Sequence, residues 1–320
     1  MTHEYAPEPY TDLGHGITCI DTGMFAPGMV AAYLIVENGR AGYVDTGALT
    51  CLPRLLGALE HVGLTTDDVD YIMPTHVHLD HAGAVGGLAQ ECPNAQVVIH
   101  PFGAKHLISP DKLKAGSEAV YGKQLFADLF GDIIPVSEDR VLIAQDGFKV
   151  QLGGRELVFI DTPGHARHHY CVWDIKSQGF FTGDTFGISY RHFDTADDVY
   201  LLPTTTPVQF DPQGWHDSLD RMLAYNPQRM YLTHFSMVEN VPALAQRLRS
   251  GIDAYVEAAE RLADSEKRHQ AIKSALQKIS LADLKALGCT LPEQRQKQLL
   301  YGDWELNAQG LGVWLDRRAA

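Results

Sequence analysis

One run constrains this chain more than any other: Pro74-Thr75-His76-Val77-His78-Leu79-Asp80-His81-Ala82-Gly83. Four metal-ligating side chains fall within six residues, at its first, third, fifth and sixth places counted from His76. A short apolar segment, Val69 to Met73, precedes it and reads as a strand, whereas Ala84 to Ala89 reads as the start of a helix. On extended backbone His76 and His78 point to the same side. Asp80 and His81 sit where the chain turns into the helix and can aim elsewhere, so one loop can serve two adjacent metals.

A strand–helix rhythm surrounds this run. Gly16 to Asp21, Val30 to Val36 and Ala41 to Asp45 read as strands, with Asn38-Gly39 as a tight turn between the last two. Leu52, Leu55, Leu56, Leu59 and Val62 recur at helical spacing, with Pro53 in the first turn and Gly63 as the stop. Gln96 to His100 is a further strand. Residues 101–135 break the rhythm and read as two or three short inserted helices. Val141 to Ile143 is expected to open an antiparallel meander that continues through Phe148–Leu152, the Gly153-Gly154 turn and Leu157–Ile160. Tyr170–Trp173, Gly179–Gly183 and Arg229–Thr233 are the later strands. Residues 185–210 form a long irregular stretch carrying Thr204-Thr205-Thr206. From Pro242 strand signals stop, and residues 242–264, 266–279, 281–287 and about 292–317 read as helices. Two β-rich halves, each followed by helices, point to a duplicated layer architecture.

The candidate ligands share one kind of position. His76, His78, Asp80 and His81 follow one strand. His165 follows another, Asp184 ends a third and His234 ends a fourth. In a layered α/β fold, strand ends along one edge face one crevice. Imidazole suits zinc, iron or manganese, and a carboxylate can bridge two ions. His76, His78 and His165 make one site, Asp80, His81 and His234 a second, and Asp184 the bridge. Two such ions hold a hydroxide that is nucleophilic at neutral pH. Asp80 is also placed to accept a proton during turnover.

THVHLDH, TPGH, TGD and LTH, in that order and together with Asp45-Thr46-Gly47, resemble the metallo-β-lactamase-fold hydrolase superfamily over roughly residues 15–240. The resemblance implies an α/β fold, a four-layer αβ/βα sandwich, here with a helical C-terminal extension. Residues 1–240 would be the catalytic domain, with its helical insertion at about 101–135, and residues 241–320 the extension. It implies two divalent metal ions per chain, zinc first and iron or manganese as alternatives, acting on a small ester, thioester or lactone, with a phosphodiester second. Within the superfamily, Asp184 departs from true β-lactamases, which lack a bridging aspartate. His78 departs from flavodiiron proteins, which carry glutamate there. The motif is nearest to glyoxalase II and quorum-lactone lactonases, although no equivalent of glyoxalase II's basic glutathione site stands out near the C-terminus. A mononuclear iron persulfide-dioxygenase-like enzyme and a slow regulatory protein are the alternative readings.

Around the ligands, His169 is the candidate for a supporting or substrate contact, and Phe186 and Tyr190 for a substrate wall, with Tyr190 able to donate to a carbonyl or phosphoryl oxygen. Asp45 is the turn residue that orients the histidine loop. Trp304 and Trp314 are core or subunit-interface anchors. A net charge of −14 over 320 residues repels phosphate backbones and speaks against nucleic acid as a partner. The N-terminus lacks the basic and apolar regions of a secretory signal, and there is no run of about 18 apolar residues. Five scattered cysteines without a CxxC read as reduced thiols. The expectation is a cytoplasmic enzyme with a small-molecule substrate, no membrane association, and C-terminal helices apolar enough for a homodimer.

Overall fold

A computed structural model describes residues 5, 7–196, 198–205 and 208–319. Residues 1–4 and 6, and Thr206 of the threonine run, lie outside the described residues. Among these residues the strands form two sheets. The first runs, in order, β1 (Tyr10–Asp12), β2 (Ile17–Asp21), β3 (Ala31–Glu37), β4 (Arg40–Val44), β5 (Val69–Met73), β6 (Gln96–Ile99) and β7 (Val141–Ile143). The second holds β8 (Phe148–Leu152), β9 (Arg155–Asp161), β10 (Tyr170–Asp174), β11 (Gly179–Gly183), β12 (Arg229–Leu232) and β13 (Ser236–Val238), from one edge to the other.

The layer order follows from β3. Its residues are apolar on both faces, which a strand requires when both sides are covered. Tyr33 and Ile35 pack with Phe159, Phe181 and Tyr231 of the second sheet. Ala32 and Leu34 face the other way, onto Leu55 and Leu59 of helix α1 (Leu52–His61) and Val85 and Leu88 beyond the histidine loop. The second sheet likewise turns Phe180 and Met230 outward onto Trp215, Leu219 and Met222. Helix, sheet, sheet, helix is therefore the order of layers, as the sequence implies. Two tyrosines tie the sheets together: Tyr33 donates to the Leu232 carbonyl at 2.5 Å, and Tyr170 to that of Val98 at 2.8 Å.

The histidine loop ends in a short helix, α2 (Leu79–Ala82), followed by α3 (Val85–Glu91). The insertion consists of α4 (Ala104–Ile108), α5 (Asp111–Tyr121) and α6 (Lys123–Phe130). α7 (Pro212–Leu223) covers the second sheet. Three long helices, α8 (Val241–Arg261), α9 (Arg268–Leu287) and α10 (Glu293–Ala319), then complete the chain.

Two expectations need correction. Val141–Ile143 does not open the meander but pairs in parallel with β6, Val97 opposite Val141, at the edge of the first sheet. Three apolar residues carry too little pattern to choose a sheet. Residues 266–279 and 281–287 are one helix, α9. Ser280 looks like a boundary residue, yet it is fully buried inside α9, and its hydroxyl accepts from Trp304 Nε1 at 3.0 Å and lies 3.2 Å from the Tyr255 hydroxyl. Its polar group is satisfied by tertiary partners instead of a helix end. Strands β1 and β13, three residues each, were absent from the sequence reading. Trp304 and Trp314 are both buried, in the cluster that also holds Trp215 and Phe210.

Candidate metal centre

Five strand ends meet at one edge of the sandwich. β4 delivers Asp45, β5 the histidine loop, β9 the turn to His165, β11 Asp184 and β12 His234. Backbone bonds lock these ends to one another: Tyr170 N–H donates to Thr75 O at 3.0 Å, Thr46 N–H to His81 O at 2.8 Å and Ala31 N–H to Thr233 O at 2.7 Å. All seven candidate ligands are gathered there.

They form two groups. The ligand atoms of His76, His78, His165 and Asp184 lie within 4.8 Å of one another, as do those of Asp80, His81 and His234. In the first group His78 Nδ1 is 2.8 Å from His76 Nε2 and 3.1 Å from His165 Nε2. In the second, His234 Nε2 is 3.3 Å from Asp80 Oδ2. Asp184 stands between them. Its Oδ2 is 3.3 Å from His165 Nε2, and its Oδ1 is 3.2 Å from His81 Nε2 and 3.6 Å from His234 Nε2.

The far ring nitrogens of three ligands are engaged. His165 Nδ1 lies 3.0 Å from the Thr204 carbonyl and His234 Nδ1 2.9 Å from that of Met29. His81 Nδ1 lies 2.9 Å from Asp45 Oδ2. A carbonyl or carboxylate there fixes Nδ1–H and leaves Nε2 as the ligating nitrogen. Two buried atoms, His81 Nε2 and Asp184 Oδ1, have no hydrogen-bond partner. Buried polar atoms are rarely left so, and these two face each other, as donors to a common cation would. The donor set of imidazoles and carboxylates fits divalent zinc, iron or manganese.

The electrostatics divide in the same way. Burial, reinforced by neighbouring imidazoles, holds His76 well below its ordinary pKa and brings His78 to about 3, so both are neutral ligands at pH 7. Burial opposes charge on His81 too, but Asp184, Asp45 and Asp80 outweigh it and raise its pKa. Burial would likewise raise Asp184, yet His81, His165 and His234 hold it well down.

Asp45 organises the support. It has a left-handed backbone, φ 56°, and is fully buried. Its Oδ1 accepts from Thr75 N–H at 2.7 Å and from the Thr75 hydroxyl at 2.9 Å, while its Oδ2 takes the Thr233 hydroxyl at 2.5 Å in addition to His81. One carboxylate thus joins three of the strand ends.

Of the two roles open to His169 the structure favours support, and Phe186 is corrected as a substrate residue. His169 is fully buried. Its Nδ1 lies 3.1 Å from the hydroxyls of both Thr162 and Thr185, and its Nε2 accepts the Asp184 N–H at 3.2 Å. It therefore supports Asp184 from beneath. Phe186 is fully buried in the core outside the second sheet. Tyr190 does stand beside the cluster, its ring edge-on to His234 at 6.4 Å.

Of the adjacent pair His168 and His169 the sequence favours His169, and it gives no sign of Asp303. His168 is 7% exposed, and its ring stacks at 6.1 Å over His76, with His106 of α4 also at 6.1 Å. Its place within His165-Ala166-Arg167-His168-His169 was the available signal. Asp303 of α10 accepts from the Tyr190 hydroxyl at 3.2 Å, and burial pushes its carboxyl up to about 7. It lies in the sequence far from any ligand motif and gave no signal. A cavity of about 960 Å³ opens elsewhere, lined by residues such as Tyr200 and Pro203 and by α8 and α9, and holds none of the seven candidate ligands.

The sequence model of the metallo-beta-lactamase superfamily matches residues 25–234. A metallo-beta-lactamase fold-containing protein of Sulfurisphaera tokodaii is 32% identical over 176 residues, which is 54% of this chain and 62% of that protein. The match thus spans less than two thirds of that relative. A human acyl-coenzyme A thioesterase is 30% identical over 192 residues, 55% of this chain and 65% of its own. Among solved structures, a metallo-beta-lactamase family protein of Thermus thermophilus superposes with a TM-score of 0.69 at 21% identity, covering 97% of this chain and 96% of its own. That coverage takes in the C-terminal helices.

Proposed function

This chain belongs to the metallo-beta-lactamase superfamily, and from that premise we propose that it is a dinuclear metal-dependent hydrolase of a small ester, thioester or lactone. One observation carries the reading: Asp184 presents one carboxylate oxygen to His165 and the other to His81 and His234, the arrangement of a bridge between two ions. His76, His78 and His165 would hold one ion, and Asp80, His81 and His234 the other. When bound, two such ions supply Lewis acidity and lower the pKa of water enough to furnish a nucleophile at neutral pH.

The remaining work falls to the protein. Asp45 and His169 keep His81 and Asp184 in place, since a ligand whose far side is hydrogen-bonded holds its direction. Asp80 is, with His78, one of the two candidate ligands open to solvent, its side chain 24% exposed, and its carboxylate can take a proton from the attacking water and return it to the leaving group as the scissile bond breaks. Thioesters stand first among the substrates because the similar human protein is an acyl-coenzyme A thioesterase. Zinc is the ion proposed first, in a chain working on a small molecule.

The test combines metal analysis with a panel of esters, thioesters and lactones. We expect two zinc ions per chain and turnover of at least one class. His76→Ala with His78→Ala removes metal and activity together. A double variant that keeps the wild-type rate refutes the reading, as does one iron per chain with oxygen consumption.

A further inference from the structure

Helix α10 approaches the candidate metal-ligand cluster through Asp303. The Tyr190 hydroxyl lies 3.2 Å from Asp303 Oδ1, while the Tyr190 ring meets His234 edge-on. Asp303 therefore stands on the His234 side of the candidate centre, one side chain removed from it, though far beyond α7 in the chain. Two residues further along α10, Glu305 is paired with both His269 at 2.9 Å and Lys273 at 2.6 Å. Among the described residues Asp303 has no such ion pair. A partly buried carboxylate without a cation is costly, and here it sits beside a second oxygen.

The pair's hydrogen-bonding capacity is unequal. A tyrosine hydroxyl has one proton. Given to the ionised Asp303, it leaves the phenolic oxygen and the second carboxylate oxygen as adjacent acceptors. Both call for a donor. We propose that Asp303 and Tyr190 form a specificity edge that selects substrates carrying an N–H donor, an ammonium or an amide, near the scissile group, and that disfavours those carrying a carboxylate there. The C-terminal helices thereby become part of the active site.

The substrate in question is the ester or thioester proposed above, whereas the test reads binding and does not depend on turnover. Calorimetry on the zinc-loaded full chain compares straight-chain carboxylic acids with their ω-amino, ω-acetamido and ω-carboxylate counterparts, the shared carboxylate serving as the anchor. Wild type should favour at least one N–H-bearing acid over its alkyl counterpart by about tenfold, the scale of a hydrogen bond to a charged group. The ω-amino and ω-acetamido series tell an ammonium from an amide. Asp303→Asn should shrink the preference to within about twofold with two zinc ions still bound, and Asp303→Glu should restore part of it. Tyr190→Phe should reduce it as well. Equal binding of all the acids by wild type overturns the proposal, and so does a preference that survives Asp303→Asn. A chain that shows the Asp303-dependent preference yet hydrolyses no ester, thioester or lactone overturns the hydrolase reading and leaves this one standing.

Discussion

At the scale of the residue, Asp45 does more than close a turn. Its two oxygens bind the histidine loop at Thr75, the ligand His81 and the strand end at Thr233. Losing one partner of a ligand of this kind typically weakens metal affinity about 10–100-fold. Asp45→Asn keeps the shape but places an amide N–H where an acceptor is needed. The expected outcome is a second zinc ion bound about 10–100-fold more weakly, with the first, held by His76, His78 and His165, less affected. Competitive titration with a zinc chelator reads both steps, and unchanged affinity at both would show that Asp45 acts only as a turn residue. His169 belongs to the same tier: it holds Asp184 through a backbone N–H, so its role is positional.

Elements fix direction. β9 reaches His165 through Pro163 and Gly164, and Gly164 has φ 137°. A Cβ there would stand 2.4 Å from the Trp215 Cα on α7, so the turn needs glycine both for its backbone and for close approach. Gly164→Ala should cost about 1–3 kcal/mol or more and shift His165. Thermal melts together with zinc titration test this; a variant matching wild type in both would refute it. At the other end of β9, Arg155 Nε donates to Asp174 Oδ1 at 2.8 Å, and both side chains are buried. Burial would raise Asp174, but Arg155 prevails and lowers it. A carboxylate whose folded pKa is depressed adds stability above its unfolded value of about 3.9, and that stability is lost as pH falls through the folded value. Arg155→Ala should therefore cost about 3–5 kcal/mol near neutral pH, by leaving a buried charge unpaired. Its deficit against wild type should narrow below about pH 4 in urea titrations. A deficit independent of pH would assign the loss to packing alone.

For the whole molecule, the C-terminal helices are part of the core. Leu248, Ile252 and Tyr255 of α8, Leu276 of α9 and Trp304 and Leu311 of α10 share one cluster with Phe186, Trp215 and Met222. Truncation at residue 240 would bare that surface, so the shortened chain should lack a cooperative melt. Trp304→Ala should cost about 3–5 kcal/mol, through lost packing and through the loss of one of the Ser280 hydroxyl's two partners. A truncated chain that melts cooperatively near the wild-type temperature would show that the 241–320 segment is dispensable. No helix among the described residues is long and apolar enough to cross a membrane.

The seven candidate metal ligands were legible in the sequence because each lies at or just beyond the end of an apolar strand, and strand ends are local features that short patterns reveal. The layer order was legible too, through the family resemblance that the motifs carry and through two β-rich halves each followed by helices. Val141–Ile143 could not be placed, since three apolar residues fit either sheet. Ser280 could not be read as helix interior, since what satisfies its hydroxyl lies on other helices. Whether His169 would face substrate or support Asp184 depended on the packing of Thr162 and Thr185 around one ring. Asp303 is the clearest case. Nothing near it in the chain marks it, and only the folding of α10 back across the second sheet sets it against Tyr190. Covalent neighbours determine which strand ends carry candidate ligands; which distant side chain stands against Tyr190 is decided by non-local packing, for which a single sequence has no local signature.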